Sequence, residues 1–174
     1  MYFFERYNEN IVKYDLINKF QYKSLINIPK LNFISLRFNF KKSDLKQLIT
    51  ALAALELITL QKGSLIESKV SSVSLKIREG QPVGCKVVLR RLKMLQFLTK
   101  LINEIIVENG TVKRSKTFNC NLFSFKISNI LIFNELEKNY QFFKNLKSLD
   151  VSISTTATDF KNFVFLLKSH KIKI

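Results

Sequence analysis

The chain has 174 residues, with 29 Lys and Arg against 13 Asp and Glu, a formal net charge of +16. Nearly half of it is hydrophobic, enough to build a core and too much for a disordered basic tail. One His and two Cys exclude a disulfide scaffold, a His/Cys zinc domain and any Ser-His-Asp enzyme with a histidine to spare, and the charge points to a polyanionic partner.

Lys outnumbers Arg 23 to 6, and Phe, Ile, Lys, Asn and Tyr together make 77 of the 174 residues. These residues have AT-rich codons. An AT-rich organellar or reduced genome would produce the skew, so part of the lysine excess is codon drift on solvated surface. The opening MYFFERYNENIVKYD carries Glu5, Glu9 and Asp15 and lacks a basic region before an apolar core. It reads as neither a signal peptide nor an Arg-rich transit peptide. The longest apolar run, Leu48–Leu60, is broken by Glu56 and is too short to span a bilayer, so no membrane role is expected.

Phe4, Tyr7, Ile11, Tyr14, Ile17 and Phe20 recur at helical spacing, which predicts a helix over residues 3–20 with that stripe inward. Gln21–Lys30 reads as a linker closed by Pro29. Leu31–Phe40 alternates apolar and polar residues with one phase slip near Ile34, the signature of a bulged strand. Ser43 can cap a helix over Asp44–Ile58, with Asp44 in its first turn.

Gly63 breaks that segment, and Ser64–Ser74 is mixed and polar. Leu75–Arg90 holds Gly80, Pro82 and Gly84, which predicts two extended arms divided by a turn. Leu92–Val107 reads as a helix with Leu95, Leu98, Leu101, Ile102, Ile105 and Ile106 as its stripe. Residues 108–117 read as a polar, basic loop. Phe123, Phe125 and Ile127 alternate with Ser124, Lys126 and Ser128, a strand with one wet face. Ile130–Phe133 is a short apolar run. Leu149, Val151 and Ile153 alternate with Asp150, Ser152 and Ser154, a further strand. Thr158 or Asp159 can cap a last helix through Leu167.

No repeat and no linker divides the chain, so 1–174 is expected to be one domain. Strands and helices mix without a regular βαβ cycle. That predicts an α+β fold, with an antiparallel or mixed sheet, helices packed on one face and a long basic Gly/Pro loop. The other sheet face would meet a ligand.

Charge concentrates between Lys69 and Lys93. Lys69, Lys76, Arg78, Lys86, Arg90, Arg91 and Lys93 stand there against the single acid Glu79. The same stretch is the richest in Gly and Pro. A permissive backbone flanked by cations can follow a phosphate surface closely.

Lys76–Arg90 (KIREGQPVGCKVVLR) followed by Lys93–Ile102 (KMLQFLTKLI) resembles large-subunit ribosomal protein 5 of bacteria and organelles, the central-protuberance family associated with 5S rRNA. Ile58-Thr59-Leu60-Gln61-Lys62 is similar to the family's I-T-G-Q-K segment. Tyr22-Lys23 and Ile28-Pro29-Lys30 are similar to its lead-in to the first strand. Leu149–Ala157 is similar to its closing strand, and Ile132-Phe133-Asn134-Glu135 to its I-F-P-E motif. The chain departs from the pattern where Arg37-Phe38-Asn39 replaces Asn-Met-Gly, where Leu60 replaces Gly and where Gly63 replaces Pro. Glu108–Thr117 stands where the family has a basic Gly-rich stretch with D-F-R-G, and keeps Lys113, Arg114 and Lys116.

The resemblance implies a structural, non-enzymatic constituent of the large ribosomal subunit with no cofactor. It implies that the loop 71–84 faces P-site tRNA, through Lys76, Arg78, Gly80, Pro82, Gly84 and Lys86. It implies large-subunit rRNA, and 5S rRNA where present, on Lys30, Arg37, Gln61, Lys62, Lys69, Arg90, Arg91 and Lys93. It further implies contact with small-subunit ribosomal protein 13 across the subunit bridge and with neighbouring large-subunit proteins. With the codon skew, a mitochondrial ribosome is the expected setting, the protein being encoded in the organelle; another AT-rich organelle or a bacterial cytoplasm is the alternative. A mitochondrial ribosome that lacks 5S rRNA, a free RNA-binding chaperone and a nucleic-acid enzyme are the competing readings.

Several residues are discounted as sites. His170 is expected at the surface, far from any orienting carboxylate. Glu104 and Glu108 fit a solvated helix face. Gly80–Gly84 lacks the Gly-Lys-Ser/Thr of a P-loop. Cys85 is expected to be a small core residue and both thiols free. Phe118 and Tyr140 are weak candidates for base stacking.

Overall fold

In a computed structural model the described residues are 6–40, 44–103, 112–114 and 121–172. A π-helical turn, Asn8–Val12, runs into α1 (Lys13–Lys19). There follow β1 (Leu31–Asn39), α2 (Leu45–Thr59), β2 (Ser64–Glu67), β3 (Pro82–Leu89), α3 (Arg91–Leu101), β4 (Val112–Arg114) and β5 (Leu122–Ile127). The chain ends with two short helices, α4 (Asn134–Glu137) and α5 (Tyr140–Phe143), then β6 (Leu149–Thr155) and α6 (Phe160–Ser169). The strands form one sheet in the order β2-β3-β1-β6-β5-β4, with every neighbouring pair antiparallel. This is the expected α+β architecture.

The sheet has one covered face because its apolar residues fall in register. Leu36 of β1 lies between Val87 of β3 and Val151 of β6, and Val151 in turn faces Phe125 of β5. These residues join Leu48, Leu55 and Ile58 of α2, Phe97 and Leu98 of α3, and Phe163 and Leu167 of α6 in one buried cluster. Burying each such side chain stabilises the fold by roughly 1.5–3 kcal/mol. Cys85 belongs to this core; its thiol donates to Leu48 O (3.6 Å), and burial pushes its pKa up to about 11.

The phase slip in β1 is a register shift against β6 between Leu31 and Phe33, slightly before Ile34. It lets Ile34, Leu36 and Phe38 all face inward. Helix α2 starts one residue later than expected: Asp44 is itself the cap and accepts from Lys46 N (3.2 Å), while Ser43 lies outside the described residues. Its end is a left-handed Leu60 with φ 53°, the position where the family pattern has glycine. A left-handed side chain costs about 1–2 kcal/mol. Lys93 and Lys100 offset part of it by donating to the orphan carbonyls of Leu60 (3.1 Å) and Ile58 (3.2 Å).

Other expectations need correction. The N-terminal helix buries Val12 and Leu16, not the stripe with Ile11, Tyr14 and Ile17, which is exposed; Phe4 lies outside the described residues. Two apolar stripes compete on this helix. It packs on α6 rather than on the sheet, so Val12 and Leu16 meet Ile28 and Leu166, and the Tyr7 hydroxyl donates to Ser169 O (3.0 Å). The first arm of the basic hairpin is β2, not Leu75–Arg78. Residues 112–114 pair with β5 inside the segment read as loop. The third helix ends its regular α part at Leu101, and residues 104–107 lie outside the described ones.

His170 is not at the surface. It is 1% exposed, at the end of α6 where the N-terminal helix crosses, and among the described residues its Nδ1 has no partner. Burial pushes its pKa down to about 4. The unfolded chain takes up this proton near the ordinary value of 6.5, so between 6.5 and 4 the unfolded state holds more protons and stability falls as pH falls. His170→Leu is expected to remove that loss. Relative to wild type, the variant should gain about 2 kcal/mol between about pH 7.5 and pH 5. Urea unfolding at the two pH values checks this; parallel curves for both proteins would contradict it.

Candidate nucleic-acid interface

Among the described residues the helices pack on one sheet face, and the composition of the other follows from the same register. One row crosses the strands as Ser64, Lys86, Arg37, Asp150, Lys126 and, by backbone pairing, Lys113. At about 4.8 Å per strand, the span from Lys86 to Lys113 is roughly 19 Å. Its only acid, Asp150, accepts from the Lys126 ammonium (3.2 Å) and from the Asn39 amide (2.9 Å). Arg37 and Lys86 are exposed and directly opposite each other. Like charges opposed across strands destabilise a sheet. The next row carries Val88, Ser35, Ser152 and Ser124; Ser35 is buried, and the Ser124 hydroxyl donates to Ser152 Oγ (3.0 Å). Beyond it, the Arg90 guanidinium stands 5.9 Å from the Phe33 ring centre.

The segment 68–81 joins β2 to β3. Ser68 and Gly80 close its neck, with Gly80 N donating to Ser68 O (3.0 Å). Gly80 has φ 80° in the turn Arg78–Gln81, a conformation glycine adopts without strain. A Ser72–Ile77 bridge then holds a tight turn over residues 73–76. Lys76 sits there at φ 54°, and Val73 beside it is 94% exposed. Gly80, Pro82 and Gly84 therefore shape the neck and strand, not the tip.

The residues singled out in sequence fall into separate places. Lys69, Lys76 and Arg78 lie on the 68–81 segment. Lys86 and Gly84 lie in β3, and Lys86 joins Arg37 on the open face rather than the loop. Gln61 holds the sheet itself, its amide donating to Val88 O (3.1 Å), with Lys62 beside it. Lys93 is occupied at the end of α2. Lys30 and Arg91 line a groove between the N-terminal helix and α3. Sequence reasoning missed Lys126 and Asn39 on the open face. The polar alternants of β5 and β6 held that signal, but without register nothing placed them beside Arg37. Glu104, Glu108, Phe118 and Cys120 lie outside the described residues, and Tyr140 is exposed on α5. Among the described residues, no group of three or more His, Cys, Asp and Glu could hold a metal ion, and no helix is long and apolar enough to cross a membrane.

The fold thus defines an α+β protein with a helix-covered sheet face and a second face on which Arg37, Lys86 and Lys126 are exposed. Residues 82–174 match the model of the C-terminus of the ribosomal protein L5 family. Over 175 aligned residues the chain is 33% identical to large ribosomal subunit protein uL5m of Reclinomonas americana, covering 98% of this chain and 96% of that one. It is 37% identical to large ribosomal subunit protein uL5 of Malacoplasma penetrans, covering 95% and 89%, and 32% identical to that of Blochmanniella floridana, covering 97% and 90%. The chain belongs to the L5 family of ribosomal proteins. It is a structural constituent of the large ribosomal subunit, not an enzyme.

Proposed function

We propose that the open sheet face is a phosphate track that holds rRNA of the central protuberance, 5S rRNA where the ribosome has one. The observation that carries this reading is the Lys86–Arg37–Asp150–Lys126 row, extended in register by Lys113. Arg37 has Asp150 opposite it on β6 and Lys86 opposite it on β3, so the row keeps an excess of positive charge that a polyanion laid across it would neutralise. Cations on such a row neutralise phosphates and release counterions, and Ser124 and Ser152 in the row beside them can hydrogen-bond ribose hydroxyls. Contacts of this kind fix position and orientation without reading sequence.

Lys30, Lys62, Lys69, Arg90 and Arg91 extend the rRNA surface in this reading, while Gln61 and Lys93 act through the fold that presents it. The turn over 73–76, with Lys76 and Arg78, reaches P-site tRNA, and Gly80, Pro82 and Gly84 hold its neck. The outer surface meets small-subunit ribosomal protein 13. The setting is a mitochondrial ribosome: the codon skew supports it, as does the likeness to a relative named uL5m. A mitochondrial ribosome without 5S rRNA would use the same face on large-subunit rRNA.

The Lys76→Ala/Arg78→Ala variant separates the loop from the face. It is expected to enter large subunits at the wild-type level and to weaken P-site tRNA binding by those subunits several-fold. Sucrose-gradient sedimentation followed by tRNA filter binding measures both. Failure of assembly with tRNA binding intact would make the loop an rRNA element instead.

A further inference from the structure

The N-terminal helix and α3 leave a groove of about 830 Å³ between them, beside the lead-in to β1. Part of its lining is buried core and meets no ligand. The accessible part is apolar: Tyr14, 58% exposed, comes from the helix, and Leu92, 50% exposed, from α3, with Leu95 half-buried next to it. Tyr14 belongs to the stripe that docking on α6 leaves in solvent. A ring and a leucine kept in water forgo the free energy that burial would return, which marks the groove as a place where something docks.

Three cations line the same groove, Lys13, Lys30 and Arg91, against one acid, Glu9. Among the described residues none of the three is in an ion pair. Arg91 is held left-handed, at φ 50°, as the first residue of α3. That backbone costs a non-glycine residue stability, and strain of this kind persists where the position of a side chain is used. The groove also adjoins the open sheet face along the chain. Arg91 follows Arg90, which stands over the Phe33 ring, and Lys30 leads into the strand that carries Phe33 and Arg37.

Apolar walls with a ring, rimmed by cations, fit a molecule that joins a flat apolar body to an anion. We propose that this groove receives an unstacked base of the RNA that lies on the open face, with the base against Tyr14 and its flanking phosphates on Lys30 and Arg91. Stacking on an aromatic side chain accepts any base, because each has a π-face, and cations beside the ring follow the strand. An apolar protein segment would cover the walls and leave the cations unused. The inference rests on the reading that the chain lies on RNA, and adds a stacking site to a face that otherwise holds phosphates.

The test titrates the labelled full-length chain with oligo(U), oligo(A) and an abasic ribose-phosphate strand of the same length, followed by NMR and fluorescence anisotropy. Both base-bearing strands are expected to shift the Tyr14 and Leu92 resonances and to bind roughly tenfold more tightly than the abasic one. Tyr14→Ala should lower them to the abasic level without lowering Tm, and Tyr14→Phe should keep wild-type affinity, since a phenyl ring also stacks. Arg91→Gly should weaken all three strands and make the log–log salt slope shallower by about 0.7, with Tm equal or higher because glycine adopts the left-handed backbone without strain. Equal affinity for base-bearing and abasic strands, or wild-type RNA affinity in Tyr14→Ala, would overturn the proposal. If that variant also enters large subunits poorly, the groove belongs to a protein neighbour instead. Binding of central-protuberance rRNA with no response at Tyr14 removes the groove and leaves the sheet-face reading. No binding of that rRNA by the wild-type chain removes both.

Discussion

Replacing Gly84 by alanine is expected to destabilise the chain by about 3 kcal/mol, at the upper end of overpacking penalties. Gly84 sits in β3, paired with Asn39 of β1 on one side and Ile66 of β2 on the other. A Cβ added there would lie 2.4 Å from Phe38 O and 3.4 Å from Asn39 Oδ1. The first contact is with backbone, so no side chain can swing away to relieve it. One of the two ladders must open, and the covered face behind them is buried at Cys85 and Phe38. For a chain of this length the loss corresponds to a Tm lower by roughly 6–12 °C. Gly80→Ala makes the control: it has open space around it but φ 80°, so its cost should be near 1 kcal/mol, an estimate of about the usual glycine-to-alanine strain. Thermal unfolding of both variants decides the matter, and a Gly84→Ala Tm within about 2 °C of wild type would refute the close-approach account.

The second large effect concerns RNA. Arg37→Ala/Lys86→Ala should weaken binding to rRNA of the central protuberance by roughly ten- to a hundredfold at physiological salt, with the salt dependence shallower by about 1.6 in log–log slope. Stability should stay within about 0.5 kcal/mol, because the change removes both the Arg37–Lys86 opposition and the Arg37–Asp150 attraction. A loss of affinity without a loss of stability separates a functional row from a structural one. Filter binding across a salt series, paired with urea unfolding, gives both numbers. Unchanged affinity with reduced stability would assign the pair to the sheet alone.

Strands β5 and β6 were legible because one face is buried and the other wet: Phe123, Phe125, Ile127 and Leu149, Val151, Ile153 alternate without interruption. Helix α2 was legible from its length and its cap region, although Leu45, Ile49 and Leu57 are exposed along with the buried Leu48, Leu55 and Ile58. Strand β2 was hidden for the opposite reason. It is four residues long at a sheet edge, mostly exposed, and held by pairing to β3 rather than by any pattern of its own.

The N-terminal helix carries two apolar stripes, and only its docking on α6 selects Val12 and Leu16. The same docking buries His170, which no local pattern around Ser169 and Lys171 signals. For the interface, the basic window Lys69–Lys93 held one cation of the row, Lys86, and the resemblance pointed to Arg37. Register supplied the rest, since Lys126 and Asp150 join Arg37 only through the pairing of β6 with β1, two strands far apart in the chain.

Ultraviolet crosslinking of the native ribosomal protein to its RNA, with mass spectrometry of the attached peptides, tests the central claim most directly. Adducts are expected on peptides spanning Leu31–Asn39, Pro82–Leu89 and Leu122–Ile127, and the RNA recovered should be rRNA of the central protuberance. Adducts confined to Leu45–Thr59, on the helix-covered side, would contradict the claim that the open sheet face is the RNA surface.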